Sequence, residues 1–381
     1  MKKTLIALAL TTLPVAAMAE VVLYGQMKAG YEVNSSKTTG SLDPEIRNGR
    51  DPYLNGIADY GSRIGFKGSE DLGNGLKAIW QVESRIHLGH GGGDSGDKWA
   101  NRDSFIGLQH DQLGTVRAGR ISNAMNANMD VVDAWEYGDG SDALGLGKFT
   151  RTDARYVGIA YDSPEWAGFN FNVLYSPRDN VNGRDRKSEY NSGIGSGDKY
   201  SLGLNYKNSG FYAKYGFDYL KNSAVKNSGE ENEELKDGQV HRLEGGYDAN
   251  NLFVGVGYQY TKNTSSYNSR LNTLAATELG GENVGDHSLT WDNQGQEAAL
   301  TVGYHFGNVF PKISYAHGWD VKIDGTKEKN TKYDQIVLGA DYDFSKRTTA
   351  NVQAGWLREG NGEDNGKTKT TAFGVGLKHT F

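Results

Sequence analysis

The last eleven residues, Thr371 to Phe381, constrain the fold more strongly than any other stretch of this chain. Every second position carries an apolar side chain or a histidine: Phe373, Val375, Leu377, His379 and Phe381. The positions between them carry small or polar residues. This period of two predicts a β-strand with an apolar environment on one face and a wetter one on the other. A soluble sandwich would show the same pattern, so the choice depends on the rest of the chain.

The N-terminus has the three parts of a secretory signal peptide. Lys2 and Lys3 are followed by an apolar region, 4–17, and Ala17-Met18-Ala19 matches a small-residue cleavage site. We predict that residues 1–19 are removed on export and that residues 20–381 form a single domain. An exported chain that ends on an aromatic β-strand is typical of a transmembrane β-barrel in the outer membrane of a Gram-negative bacterium.

The composition agrees with a barrel and argues against other classes. After residue 19 no apolar run is long enough for a membrane-spanning helix. The 52 glycines and 22 tyrosines suit turns and membrane interfaces, whereas closed sheets tolerate little proline and the chain has 6. It has no cysteine, and a fully paired sheet needs no disulfide. The net charge of −6 argues against a nucleic-acid partner.

Turn signals predict the number of strands. Seven short segments rich in Gly, Asn, Asp, Ser or Pro are predicted hairpin turns: 70–75, 110–114, 162–168, 207–210, 248–251, 306–309 and 344–347. Eight long polar segments are predicted external loops: 34–57, 87–98, 121–150, 178–197, 222–237, 263–292, 321–331 and 360–368. These connections require sixteen antiparallel strands, with both termini on the periplasmic side. A barrel of this size can enclose an aqueous channel.

The predicted strands place charge on one face only. Ile336 and Leu338 alternate with polar residues such as Gln335, and Trp80 alternates with charged residues such as Glu83. A cation on the lipid face at mid-depth costs roughly 2–4 kcal/mol, so the charged face is predicted to line a water-filled lumen.

The third predicted loop, 121–150, is the candidate constriction of this pore. It combines apolar residues such as Met125 and Trp135 with a group of acids: Asp130, Asp133, Glu136 and Asp139. A loop of this composition can pack its apolar side on the wall and present its acids to a channel. A solvated external loop is the alternative.

Basic residues on nearby strands are predicted to face these acids. The candidates are Arg63, Lys67, Lys77, Arg85, Arg102, Arg117 and Arg120. The orientation of Arg102 is ambiguous because the apolar Ile106 has the same strand parity. Arg120 lies at a strand-to-loop bend, where alternation no longer predicts the direction of a side chain. Facing rows of opposite charge would produce a transverse field in a narrow eyelet and bias ion selection. Pairing of some of these bases with lumen acids such as Glu83 is the alternative.

Several long stretches resemble the general trimeric porins of Gram-negative outer membranes, most closely the Neisserial and betaproteobacterial group. They are 60–83, 101–108, 114–120, 155–168, 333–348 and 376–381. The resemblance implies a homotrimer in contact with outer-membrane lipid and lipopolysaccharide, with the third loop inside each lumen and passive passage of inorganic ions and small polar solutes. It also implies that the barrel-assembly machinery reads the C-terminal strand through Val375, Leu377 and Phe381.

Other functions have weaker support. The eight histidines are scattered and no nucleophile-elbow or zinc-protease motif occurs, so we predict no enzyme, no cofactor and no metal. Gly91 to Gly96 fits a dinucleotide-binding pattern but lies in a predicted external loop. A substrate-selective channel would show a dense ladder of one charge sign, whereas the signs here are mixed. A channel whose loops act in adhesion remains an alternative.

Overall fold

The computed structural model of the 381-residue chain describes residues 20–40, 54–88, 99–129, 131–135, 141–178, 197–226, 234–264, 292–323, 325–360, 362 and 366–381. The predicted signal peptide, 1–19, lies outside these residues. The strands are β1 (Glu20–Thr39), β2 (Leu54–Asp59), β3 (Arg63–Gly73), β4 (Leu76–Arg85), β5 (Ser104–His110), β6 (Gly114–Ser122), β7 (Arg155–Asp162), β8 (Phe169–Ser176), β9 (Lys199–Asn208), β10 (Phe211–Lys226), β11 (Glu234–Ala249), β12 (Leu252–Lys262), β13 (Asn293–Tyr304), β14 (Val309–Gly318), β15 (Lys322–Ile323), β16 (Thr326–Lys327), β17 (Tyr333–Ser345), β18 (Thr348–Gly360) and β19 (Lys367–Thr380).

These strands form one closed antiparallel barrel of sixteen strands, as predicted. β2 and β3 both pair with β1 and together act as one barrel strand, and β15 and β16 form a small hairpin at the external end. β1 pairs with β19 from Gln26 and Thr380 to Thr39 and Lys367, and this pairing closes the ring. The backbones of Gly25 and Phe381 exchange two hydrogen bonds of 3.1 Å, so the chain's last residue completes the closure.

All seven predicted short turns connect consecutive hairpin strands. Several predicted loops are shorter than expected, because strands continue into them. β1 runs to Thr39 although a loop was expected from residue 34, and β10 and β11 together replace much of the predicted loop 222–237. The Thr, Ser, Asn and Lys residues in these extended strand ends lack the apolar alternation by which strands are recognised in a sequence. Backbone pairing with the neighbouring strand extends them nevertheless, because ladder hydrogen bonds do not depend on an apolar face.

The two faces of the wall have the predicted polarity. Leu338 is 54% exposed on the outside, whereas Gln335 is fully buried on the inside. On β19 the residues Phe373, Val375, Leu377 and His379 are all exposed on the outer face, as is Phe381 directly after the strand. The barrel's apolar core therefore does not lie between the strands. It lies inside the lumen, under the segment between β6 and β7, and includes Val132, Leu144 and Phe149.

That segment contains two short helices, α1 (Ala124–Asn128) and α2 (Gly147–Thr150). Within the part of the chain that the structure describes, no helix is both long and apolar enough to cross a membrane.

Candidate functional site: the channel constriction

The constriction loop, which we define as residues 123–154, enters the lumen at Asn123. The Asn123 side chain caps α1 by accepting a hydrogen bond of 3.0 Å from the Asn126 backbone N–H, and it donates one of 2.7 Å to Asp218 on β10. Met125 packs so closely on Gly216 that a Cβ there would lie 2.6 Å from its sulfur atom. The missing side chain at Gly216 therefore makes room for α1 against the wall.

The middle of the constriction loop is bound to the opposite half of the ring. Glu244 on β11 accepts backbone hydrogen bonds from Val131 and Val132, at 2.9 and 3.2 Å. The Trp135 indole donates to the Ser314 hydroxyl at 2.7 Å. Lys312 lies 4.7 Å from the centre of the Trp135 ring and donates to the Ala134 carbonyl at 2.6 Å. These contacts fix the depth of the loop in the channel.

The returning arm packs on β17 and β18. Gln335 donates to the Gly145 carbonyl at 2.7 Å, and Gln353 accepts from the Gly145 N–H at 3.3 Å. At Gly355 a Cβ would lie 1.8 Å from the Ala143 carbonyl oxygen, so the loop contacts bare backbone there. The apolar residues in the described part of the loop thus pack on the wall.

Lys148 ties the end of this arm to β18. Its ammonium group lies 2.7 Å from Asp142 and 3.0 Å from Glu359. Burial acts to lower the pKa of Lys148, but the two carboxylates outweigh it and raise the pKa above its ordinary value. The lysine therefore stays charged at neutral pH.

Two arginines at the loop's base were missed in the sequence. Arg242 is fully buried and donates to the Phe149 carbonyl at 2.7 Å, and Arg151 forms an ion pair with Glu297. Arg242 and Glu297 both have the strand parity of lumen-facing residues. No local pattern in the sequence, however, links them to a loop more than 90 residues earlier in the chain.

Part of the wall that the loop leaves open carries the predicted basic residues around a single acid, Glu83. The Arg102 guanidinium donates to one Glu83 oxygen. Arg63 lies 3.7 Å from the other, and the Tyr24 hydroxyl donates to it at 3.1 Å. Lys67 extends over the Tyr24 ring at 5.3 Å and is exposed to the lumen.

Arg102 reaches this cluster in spite of its parity. The register places Ile106 on the outer face. The strand begins only at Ser104, and the bend before it turns Arg102 toward Glu83.

Two further arginines on the same wall are paired. Arg117 makes two hydrogen bonds with Asp162, at 2.8 and 2.9 Å, and lies over the Phe105 ring. Arg155, which was not among the predicted residues, donates to Asp103 at 2.7 Å. The open wall therefore carries a network of ion pairs in which arginine and lysine outnumber the acids.

The remaining predicted bases lie elsewhere. Lys77 faces the lumen next to the turn between β3 and β4, six residues along β4 from Glu83, which is about 20 Å. Arg85 lies opposite Arg63 at the external end of the strand. Arg120 shares the parity of the outward-facing Val116, and its guanidinium donates to the Asn101 carbonyl at 2.9 Å.

Of the predicted acids, Asp133 is the one within the described residues. Its carboxylate accepts backbone hydrogen bonds from Trp135 at 3.0 Å and Leu146 at 3.3 Å, so it joins the two arms of the loop. Asp130, Glu136 and Asp139 lie outside the described residues. Asp142, a further acid of the same loop, has an exposed side chain. No cluster of metal-ligating side chains occurs in the ranges given above.

Comparisons with known proteins agree with this geometry. Residues 30–381 match the Gram-negative porin family. The chain is 45% identical to the major outer membrane protein P.IB of Neisseria sicca and 43% identical to that of Neisseria meningitidis serogroup B, with full coverage of each chain.

Among solved structures, the anion-selective porin from Comamonas acidovorans has a TM-score of 0.64 at 21% identity, and OmpF of Salmonella typhi has 0.59 at 20%. Each alignment covers 95% of this chain and at least 98% of the other chain. The chain therefore belongs to the Gram-negative porin family and is an outer-membrane channel protein rather than an enzyme.

Proposed function

We propose that this porin is a general diffusion channel with a preference for anions. The observation that carries the proposal is the division of the lumen wall. The constriction loop occupies the side formed by β9 to β14 and β17 to β18. The open side presents more arginine and lysine than acid. A sixteen-stranded barrel encloses an aqueous channel, which is wide enough for inorganic ions and small polar solutes.

The charge on the open side supports the anion preference. Five described cations lie there beside three carboxylates: Arg63, Lys67, Arg102, Arg117 and Arg155 with Glu83, Asp103 and Asp162. Each carboxylate offsets one cation, so the wall keeps a positive field that favours anions. The acids Asp130, Glu136 and Asp139 are proposed to supply the opposing charge from the loop.

The outer surface supports assembly as a homotrimer. On β8 to β19 the exposed apolar residues include many aromatics, such as Tyr200, Tyr258 and Tyr342. On β2 to β7 the large exposed apolar residues are aliphatic, such as Ile106 and Ile159. Aromatic girdles mark the lipid interface, so the aliphatic sector is proposed to contact neighbouring subunits. The remainder faces outer-membrane lipid and lipopolysaccharide.

Single-channel recording with a salt gradient tests the proposal. Wild type should give stable steps and a reversal potential of anion-selective sign. Arg63→Ala removes a lumen cation and should move that potential toward cation selectivity. Arg120→Ala is the matched control because its side chain lies on the outer parity. Equal shifts in the two variants, or a cation-selective wild type, would contradict the proposed charge preference.

A further inference from the structure

Lys67 differs from the other four cations of the open side in its partner. Each of the others forms an ion pair with Glu83, Asp103 or Asp162. Lys67 forms no ion pair within the ranges that the structure describes, and it is exposed to the lumen. Its ammonium group lies over the Tyr24 ring, 5.3 Å from the ring centre. The position of this uncompensated cation therefore depends on an aromatic ring and not on a carboxylate.

Tyr24 reaches across β3 because residue 65 has no side chain. The strand register places Tyr24 on β1, Gly65 on β3 and Glu83 on β4 side by side. A Cβ at position 65 would clash with the Tyr24 ring, at 2.7 Å from its Cε1 atom, so the ring lies directly on the β3 backbone. The Tyr24 hydroxyl then donates to Glu83 on the far strand at 3.1 Å. Both the ring and the hydroxyl of this side chain are therefore held in place.

The Tyr24 ring also separates two lumen-facing cations of β3. Arg63 and Lys67 lie two residues before and after Gly65, on the strand face that the ring covers. Arg63 lies 3.7 Å from the Glu83 oxygen to which the Tyr24 hydroxyl donates. Lys67 is a diagonal neighbour of Glu83 in the β3–β4 register, a separation that long side chains can cross. Tyr24 therefore lies between Lys67 and an acid within its reach.

We propose that Tyr24 is a positioning residue for ion selection, which directs the Lys67 ammonium group into the lumen and keeps it from pairing with Glu83. A cation–π contact suits this role because it attracts an ammonium group without neutralising its charge. The open side then keeps positive charge that a Lys67–Glu83 pair would cancel, and that charge concentrates anions locally. The inference rests on the proposed diffusion channel, but it concerns changes in selectivity and not the sign of selectivity in wild type.

The test compares reversal potentials of the refolded mature protein and its variants in a planar bilayer with a salt gradient. Tyr24→Leu removes the ring and the hydroxyl, so that Lys67 can pair with Glu83. The permeability ratio of anion to cation should then fall roughly twofold, as it should in Lys67→Gln. The double variant Tyr24→Leu/Lys67→Gln should not fall below Lys67→Gln alone, because Tyr24 acts through Lys67 and the two effects are not additive.

Two further comparisons separate positioning from a merely structural role. In the Glu83→Gln background Lys67 has no carboxylate to pair with at that position, so adding Tyr24→Leu should leave the permeability ratio unchanged. Tyr24→Phe retains the ring under the ammonium group and should stay closer to wild type than Tyr24→Leu. Tyr31→Leu removes a ring of the same strand from the outer face and is the matched control, with an unchanged ratio.

The expected result is a loss of anion preference in Tyr24→Leu that disappears in the Glu83→Gln and Lys67→Gln backgrounds. An unchanged ratio in Tyr24→Leu would overturn the proposal, and so would an equal loss in all three backgrounds. Heat-modifiable migration confirms folding. If Tyr24→Leu does not fold, Gly65→Ala repeats the comparison, because the added Cβ displaces the ring from β3. The sign of the wild-type reversal potential bears on the proposed function alone, since this test uses differences between variants.

Discussion

At the scale of single residues, Glu83 controls how much positive charge the open wall presents. It contacts Arg63, Arg102 and Tyr24. Partly exposed ion pairs of this kind contribute only about 0–1 kcal/mol to stability. Their main consequence here is electrostatic, because one carboxylate partly neutralises two guanidinium groups that face the passage.

Replacing Glu83 by Gln should therefore increase anion preference. The amide retains the size of the side chain but removes the carboxylate charge that Arg63 and Arg102 share. The permeability ratio of anion to cation, obtained from the reversal potential, should rise on the order of twofold. Glu70→Gln makes the same charge change on β3, close to the turn to β4, and should leave the ratio unchanged. A rise of equal size in both variants would show that net charge, and not this cluster, sets selectivity.

Arg102 and Arg120 show the limits of prediction at this scale. Parity along a strand assigns Arg63, Lys67 and Arg117 to the lumen face, because alternation is a local property of extended backbone. Arg102 precedes its strand by two residues, and the bend there reverses the expected direction. The direction of such a residue depends on its partner, and Glu83 is 19 residues away.

At the scale of elements, Trp135 holds the constriction loop on β14. Its indole bonds to Ser314 and its ring lies against Lys312. Trp135→Ala should free the middle of the loop, since large-to-small changes at buried sites cost roughly 3–5 kcal/mol. We expect higher and noisier single-channel conductance with an intact barrel. Trp135→Phe keeps the ring packed and should remain close to wild type, and a quiet, unchanged Trp135→Ala channel would mean that the other contacts suffice.

The terminal strand has a prediction of its own. Phe381 packs against Gly25, where a Cβ would lie 2.6 Å from its ring. Phe381→Ala, or the same change at Val375 or Leu377, tests the predicted assembly signal. The fraction of heat-modifiable protein in outer membranes should fall severalfold for Phe381→Ala, whereas refolding of the purified variant in detergent should proceed. Equal losses in cells and in detergent would indicate a role in barrel stability instead of recognition by the assembly machinery.

At the scale of the whole molecule, the large exposed apolar side chains on β2 to β7, the aliphatic sector, differ from those on β8 to β19, which include many aromatics. Ile106→Trp/Ile159→Trp adds bulk in the aliphatic sector and should dissociate the trimer, because overpacking an interface is destabilising. Leu300→Trp/Ile313→Trp adds the same bulk where we expect lipid, which can rearrange around it. Native mass measurement in detergent distinguishes trimers from monomers. Trimers that persist in the first variant would place the interface elsewhere.

Strand number, turn positions and wall polarity follow from local patterns in the sequence. Period-two alternation and turn chemistry act over a few residues, and a barrel repeats them around the ring. The ends of the longest strands were not predictable, because they are held by pairing with a neighbour and not by their own composition.

The anchoring of the constriction was decided by tertiary structure alone. Glu244 meets the loop across 113 positions in the chain, Lys312 across 178 and Gln335 across 190. Each of these residues has the parity of a lumen side chain, which the sequence determines. Which of them contacts the loop and which remain open to water depend on the strand register and the closure of the ring, since only these bring distant residues side by side.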